Sequence, residues 1–175
     1  ENNSGNKGIN NLVEIMALRA IPNGDEYDKD VARAIRYAVD NGAKVINGSF
    51  GKYFSSNPEW VIDAIRYASE NNVLVIAAAG NESKDLDSLS NDNYPNDQFF
   101  NKDEFSDTFI KVGASSINLN ENFTAYFSNY GKINVDIFAP GVDIYSSMPS
   151  NKYKSQSGTS MASPVVAGIA SLIFS

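Results

Sequence analysis

The sequence predicts an α/β fold with a mostly parallel sheet flanked by helices, and three features carry that expectation. The pentad Ala34-Ile35-Arg36-Tyr37-Ala38 returns thirty residues later as Ala64-Ile65-Arg66-Tyr67-Ala68. That spacing suits one βαβ unit, whose crossover has to be a helix because a tight turn cannot join parallel strands. Apolar runs of small and β-branched residues follow each copy, and helical periodicity alternates with them through the first half of the chain. At 175 residues and 42% hydrophobic, the chain has material for one core and no sign of a second.

Taken in order, residues 1–11 are rich in Asn, Gly and Ser and read as a loop, and Leu12 to Ile21 reads as a buried strand. A loop through Pro22, Asn23 and Gly24 leads to a helix with Asp28 as N-cap and Val31, Ala34, Ile35 and Ala38 at helical spacing, stopped by Asn41-Gly42. Val45-Ile46 opens a short strand that turns out at Gly48 to Gly51. Asn57-Pro58-Glu59 starts the second helix, with proline at the first helical position, and Val73 to Ala79 is its strand. Residues 82–105 are polar, turn-rich and contain Tyr94-Pro95, an irregular excursion. Thr108 to Ala114 and Val135 to Phe138 read as two more strands. Val142 to Ser147 and Tyr153 to Gln156 then form a hairpin, and a final helix runs from about Ser160 to Phe174 with Val166, Ile169, Ala170 and Ile173 inward.

Composition narrows the chemistry. A net charge of -7 repels nucleic acid and anionic membrane alike, so neither is expected as a partner, and a soluble protein is. No apolar run reaches the ~20 residues of a membrane span, and no signal peptide is visible; any export signal is expected upstream of Glu1. Cysteine is absent, which excludes disulfides, thiolate metal sites and thiol nucleophiles. Histidine is absent too, so serine chemistry here needs its general base from elsewhere.

The strongest local signal is Gly158-Thr159-Ser160-Met161-Ala162-Ser163-Pro164, a glycine turn running into a helix. A turn of this kind exposes a serine hydroxyl, and the helix N-terminus aims free N–H groups and a positive dipole end at developing negative charge. The plainer alternative is that Ser160 merely caps the helix, as serine often does. A second signal, Ala77-Ala78-Ala79-Gly80-Asn81-Glu82, ends a predicted strand, and by itself its Gly-Asn pair reads as a turn. The third, Val45 to Gly51, is on its own a strand with a glycine-rich exit.

Together these segments resemble the subtilase family of serine endopeptidases, and the resemblance covers essentially the whole chain. Phe127-Ser128-Asn129-Tyr130-Gly131 and Asp136 to Val142 add to it in the family's order and spacing. It implies Ser160 as nucleophile, Asn81 as side-chain donor to the oxyanion beside the Ser160 backbone N–H, and a substrate cleft lined by Ser49, Phe50 and Gly51 facing Ala78, Ala79 and Gly80. Glu82 either sits at the pocket rim or is a solvated carboxylate. Gly48 stands where relatives often carry a bulkier residue, and Val165 where many carry a non-triad histidine.

The family's triad runs Asp, His, Ser along the chain, and only the serine is present. The resemblance therefore implies that residues 1–175 are the C-terminal part of a subtilase catalytic domain, a truncated subtilisin-like sheet lacking its N-terminal strands. The Asp and His are expected upstream, and the chain alone is expected to be inactive. Peptide or protein substrates and secretion follow from the family. The alternative is a non-catalytic subtilase-like module that binds peptides or a prodomain-like partner through the Ser49 to Gly51 edge. No cofactor and no metal site are expected in this chain. The loose likeness of residues 1–4 to the calcium loop of some subtilases would make Asn3 a candidate ligand in a longer parent, with the other ligands upstream; in this chain the segment reads as an Asn-rich loop. The family fold places another strand between Leu12 to Ile21 and Lys44 to Ser49. Without it, those two are expected to pair directly, to recruit another chain by self-association, or to leave the first displaced.

Overall fold

Both copies of the repeated pentad fold as helices, because their apolar residues recur on one face. Helix α1, Asp28–Asp40, buries Val31, Ala32, Ile35 and Ala38, and α2, Pro58–Glu70, buries Val61, Ile62, Ala64, Ile65 and Ala68. Each runs into a strand, β1 (Val45–Gly48) after α1 and β2 (Leu74–Ala78) after α2. In this computed structural model residues 5–21, 24–98, 103–118, 120 and 123–174 are described. Strands β3 (Phe109–Ser115) and β4 (Ile137–Pro140) complete a sheet of order β1-β2-β3-β4, parallel at every pairing. Strands β5 (Ile144–Met148) and β6 (Lys152–Gln156) form an antiparallel hairpin, and α3 (Thr159–Ile173) closes the chain.

Alternation along the strands splits the core between the two sheet faces. Val75 and Ala77 meet Val31, Ile35, Val61 and Ile65 of α1 and α2 on one side. Ile76, Val112 and Ala114 meet Ala162, Val166 and Ala170 of α3 on the other. Ile65 and Ile76 are fully buried, and burying such a side chain contributes about 1.5–3 kcal/mol. The result is a three-layer α/β/α arrangement in which the C-terminal ends of β1 and β2 and the N-terminus of α3 share one end of the sheet.

Four expectations need correction. Leu12 to Ile21 is not a buried strand: Leu12 and Ile15 are 78% and 88% exposed and no pairing is formed. Its apolar pattern is real, but β1 is the sheet edge and these residues do not pair with it, so of the three outcomes considered this is displacement. Asp28 is the first residue of α1, with Tyr27 at the N-cap. Its carboxylate instead pairs with Lys52 at 2.6 Å and accepts from Ser55 Oγ and the Asn57 N–H, so it ties the start of α2 to α1. Ile169 and Ile173 of α3 are 51% and 79% exposed, because the helix presents its small residues to the sheet and its larger ones outward. Finally β4 begins two residues later than expected, because the Asp136 side chain accepts from the Lys111 N–H where ladder pairing was anticipated. Asn3, Pro22 and Asn23 lie outside the described residues. Among the described residues no helix is long and apolar enough to cross a membrane.

Candidate active site

Gly158 at the N-cap of α3 has φ 156° and ψ 160°, a conformation essentially reserved for glycine. A Cβ there would meet nothing closer than 3.6 Å, so the backbone shape and not crowding requires glycine. That bend starts the helix at Thr159 and leaves Ser160 half-buried in its first turn. The first-turn N–H groups are unequal: Thr159 N–H donates to Asn81 Oδ1 at 2.8 Å, and Met161 N–H to the Gly158 carbonyl at 3.0 Å. Among the described residues the Ser160 N–H has no acceptor, so it is the free donor of the helix end.

Asn81 is fixed from the same side. Its Oδ1 also accepts from Thr159 Oγ1 at 3.1 Å, and that hydroxyl accepts from the Gly80 N–H at 3.0 Å. A backbone N–H can only donate, so Oδ1 has to face Thr159 and Nδ2 has to face away. Nδ2 makes no hydrogen bond among the described residues. The structure therefore brings Asn81 to the turn that feeds Ser160, and both Asn81 Nδ2 and the Ser160 N–H are left as unused donors. Thr159, 0% exposed, is the clasp between them.

The loop carrying Asn81 is held from below by Asn129, also fully buried. Its Nδ2 donates to the Ala79 carbonyl at 2.7 Å and the Tyr53 hydroxyl at 2.8 Å, and its Oδ1 accepts from the N–H groups of Glu82 and Lys84 at 3.1 and 3.0 Å. Gly80, at φ 98°, passes so close that a Cβ would lie 2.6 Å from Asn129 Nδ2. Glu82 itself is exposed. No local pattern singles out Asn129, although it sits in a segment noted for its spacing. Replacing Asn129 with alanine strands several buried groups at once and is expected to lower stability by about 3 kcal/mol or more. Urea unfolding measures this, and a loss under about 1 kcal/mol would contradict it.

Opposite Asn81, the exit of β1 supplies the other wall. Asn47 Nδ2 donates to Ser49 Oγ at 2.9 Å while its Oδ1 accepts from Ser163 Oγ one turn beyond Ser160, so the β1 exit is tied to α3. Phe50 packs inward against the α1/α2 core and, with Gly51, lines a small apolar concavity that also includes Tyr94 and Pro95. Gly48 makes room for that ring: a Cβ on it would approach Phe50 to 3.3 Å. Ala78 and Ala79 are buried, at 3% and 0% exposure, and reach the cleft by their backbone only.

Beneath the cleft, Lys111 of β3 is buried and donates to the Asn93 carbonyl at 2.9 Å and to Asn93 Oδ1 at 3.1 Å. Burial pulls its pKa down to about 7, against the charges of Asp97 and Asp136. Burial, with the charge of Glu104, pushes Asp97 up to about 6. Between the ordinary carboxylate value of 3.8 and about 6, folded Asp97 keeps a proton that the unfolded chain has lost, so stability falls as pH rises. Between about 7 and 10.5, folded Lys111 has lost a proton that the unfolded chain keeps, so stability rises with pH. The urea midpoint is accordingly expected to pass through a minimum between pH 6 and 7. The alkaline rise should vanish in Lys111→Met and persist in Asp97→Asn; a flat wild-type profile over pH 6–9 would contradict the assignment.

Among the described residues no cluster of acidic groups could hold a metal ion. Comparison with known proteins gives the family. The profile of the subtilase family, peptidase S8, matches residues 1–175. The chain is 39% identical to a thermophilic serine proteinase of Bacillus sp. (strain AK1), over 99% of its own length and 39% of that protein's. It is 37% identical to thermitase of Thermoactinomyces vulgaris, over 99% of its length and 56% of thermitase's. The chain thus spans well under two thirds of these curated relatives. Among solved structures, the epidermin leader peptide processing serine protease of Staphylococcus aureus superposes with a TM-score of 0.83 at 23% identity, over 95% of this chain and 48% of that one, a likeness of fold.

Proposed function

The chain belongs to the subtilase family, and from that membership we propose that it supplies the nucleophile and oxyanion hole of a serine endopeptidase whose general base comes from outside these 175 residues. Ser160 Oγ attacks the carbonyl carbon of a peptide bond and gives its proton to an upstream histidine. The carbonyl oxygen, now negative, accepts from the Ser160 N–H and Asn81 Nδ2. Collapse expels the amine, which takes the proton, and water then hydrolyses the Ser160 ester by the same route. An extended substrate lies along the Ser49 to Gly51 exit, where backbone groups pair with it and the glycine keeps the approach open. The cargo is peptide or protein, and secretion is carried over from bacterial relatives.

One observation supports this reading above the rest: the Asn81 amide is oriented by Thr159 so that its donor is turned away from that residue, while the N–H of the next residue, Ser160, is also left free. The lack of any histidine keeps the non-catalytic peptide-binding module as a second reading. A fluorophosphonate probe separates them. The 175-residue chain is expected to label about 10⁶-fold more slowly than an intact subtilase, the loss found in subtilisin when its histidine alone is removed. The same chain extended by its upstream coding sequence is expected to label at full rate on Ser160. Slow labelling of the extended protein would favour the binding module, and fast labelling of the 175-residue chain would overturn the need for an outside base.

A further inference from the structure

Asn93 sits where the two walls of the cleft meet, and it is 4% exposed. Protonated Lys111 behind it can only donate, so below about pH 7 the 3.1 Å bond goes to Oδ1 and Nδ2 is turned away from the lysine. That Nδ2 is buried and, among the described residues, has no hydrogen-bond partner. It lies 3.6 Å from where a Cβ on Gly51 would stand and 3.3 Å from where one on Gly80 would. The gap between the two bare backbone walls therefore ends on an unused donor. Tyr53 adds a second. Its hydroxyl lies 2.8 Å from the same point on Gly80 and spends its oxygen as acceptor to Asn129 Nδ2, so its proton is free. A buried amide donor left without a partner costs about 1–3 kcal/mol, which an acceptor entering from the cleft would recover.

We propose that Asn93 determines specificity in this cleft, and that with Tyr53 it selects a substrate side chain ending in a neutral carbonyl oxygen, glutamine above all, at the residue whose carbonyl Ser160 attacks. This rests on the peptide-cleft reading given above. A carbonyl oxygen carries two lone pairs and can serve both donors, whereas an aliphatic side chain would leave both unpaired. The neutral amide is favoured over the carboxylate of glutamate because Asp97 and Asp136 act on Lys111, Glu104 acts on Asp97, and the chain carries a net charge of -7. Burial raises the pKa of the Tyr53 phenol, so it keeps its proton as the donor role requires.

NMR titration of the 175-residue chain with acetyl-Ala-Ala-Ala-Gln amide and its Leu and Glu counterparts tests this without catalysis. The Gln peptide is expected to bind about three- to tenfold more tightly than the Leu peptide, the range of one or two net hydrogen bonds, and to shift the Asn93 side-chain amide protons downfield. The Glu peptide is expected to bind more weakly than Gln. Asn93→Asp keeps the acceptors that Lys111 uses but removes the donor, so it should erase the Gln preference while remaining folded; Tyr53→Phe should reduce it. Equal binding of Gln and Leu peptides with Asn93 unmoved would overturn the proposal and leave the cleft reading standing. Binding of none of them, with residues 49–51 and 78–81 undisturbed, would overturn the cleft reading and this proposal with it.

Discussion

Alanine at position 160 is expected to abolish turnover in the longer protease proposed above, a loss of about 10⁶ in kcat on the scale known for the same role in subtilisin. The stability of the fold should not change. Among the described residues the Ser160 side chain makes no hydrogen bond, so removing its oxygen strands no partner. Its half-buried methylene is kept by alanine, and the bend is held by Gly158 and Thr159, which the substitution leaves alone. Active-site titration and thermal melting of the same preparation separate the two statements. A variant that retained a hundredth of wild-type kcat, or that melted several degrees lower, would show that Ser160 is instead a cap or packing residue.

Asn81 is expected to carry the second largest effect, and two substitutions divide its duties. Alanine removes both the outward donor and the acceptor that Thr159 uses. It should cost about 10²–10³ in kcat, the range found for the equivalent donor in subtilisin, together with about 1 kcal/mol of stability from the freed Thr159 N–H. Aspartate keeps an acceptor for Thr159 but turns an anionic oxygen toward the developing oxyanion. Its kcat should fall at least as far, because like charges this close repel, while the melting temperature stays near wild type. KM should move little in either case, since the bond is made to the transition state. Equal kcat for wild type and aspartate variant would remove Asn81 from the chemistry.

Where function depends on contiguous residues, the sequence was legible. The repeated pentad located α1, β1, α2 and β2 because each element is short, periodic and bounded by Asn, Gly or Pro. Ser160 and Asn81 stood out through the subtilase resemblance of their segments; read alone, the glycine turn into a helix also suits a cap, and the strand-end Gly-Asn pair reads as a turn. What stayed hidden depends on partners far apart in the chain. Thr159 clasps a residue 78 positions earlier, and Asn129 one 50 positions earlier, and neither bond leaves a local pattern. Lys111 read as part of an apolar strand, and nothing in its neighbours announced that Asn93 would meet it from the irregular excursion. The failures on Leu12 to Ile21 and on Ile169 and Ile173 share one cause: periodicity reports which residues are apolar, while burial needs a surface to cover them. Here α3 spends Ala162, Val166 and Ala170 against the sheet and leaves its bulkier residues outward.

The central claim is that the Ser160 hydroxyl is presented beside two convergent donors. A crystal structure of the extended protein inactivated by a peptidyl phosphonate tests it most directly. The account predicts phosphorus bonded to Ser160 Oγ, with one phosphonyl oxygen within about 3 Å of both the Ser160 nitrogen and Asn81 Nδ2. An adduct on a different serine, or on Ser160 with that oxygen turned away from Asn81 into solvent, would contradict it.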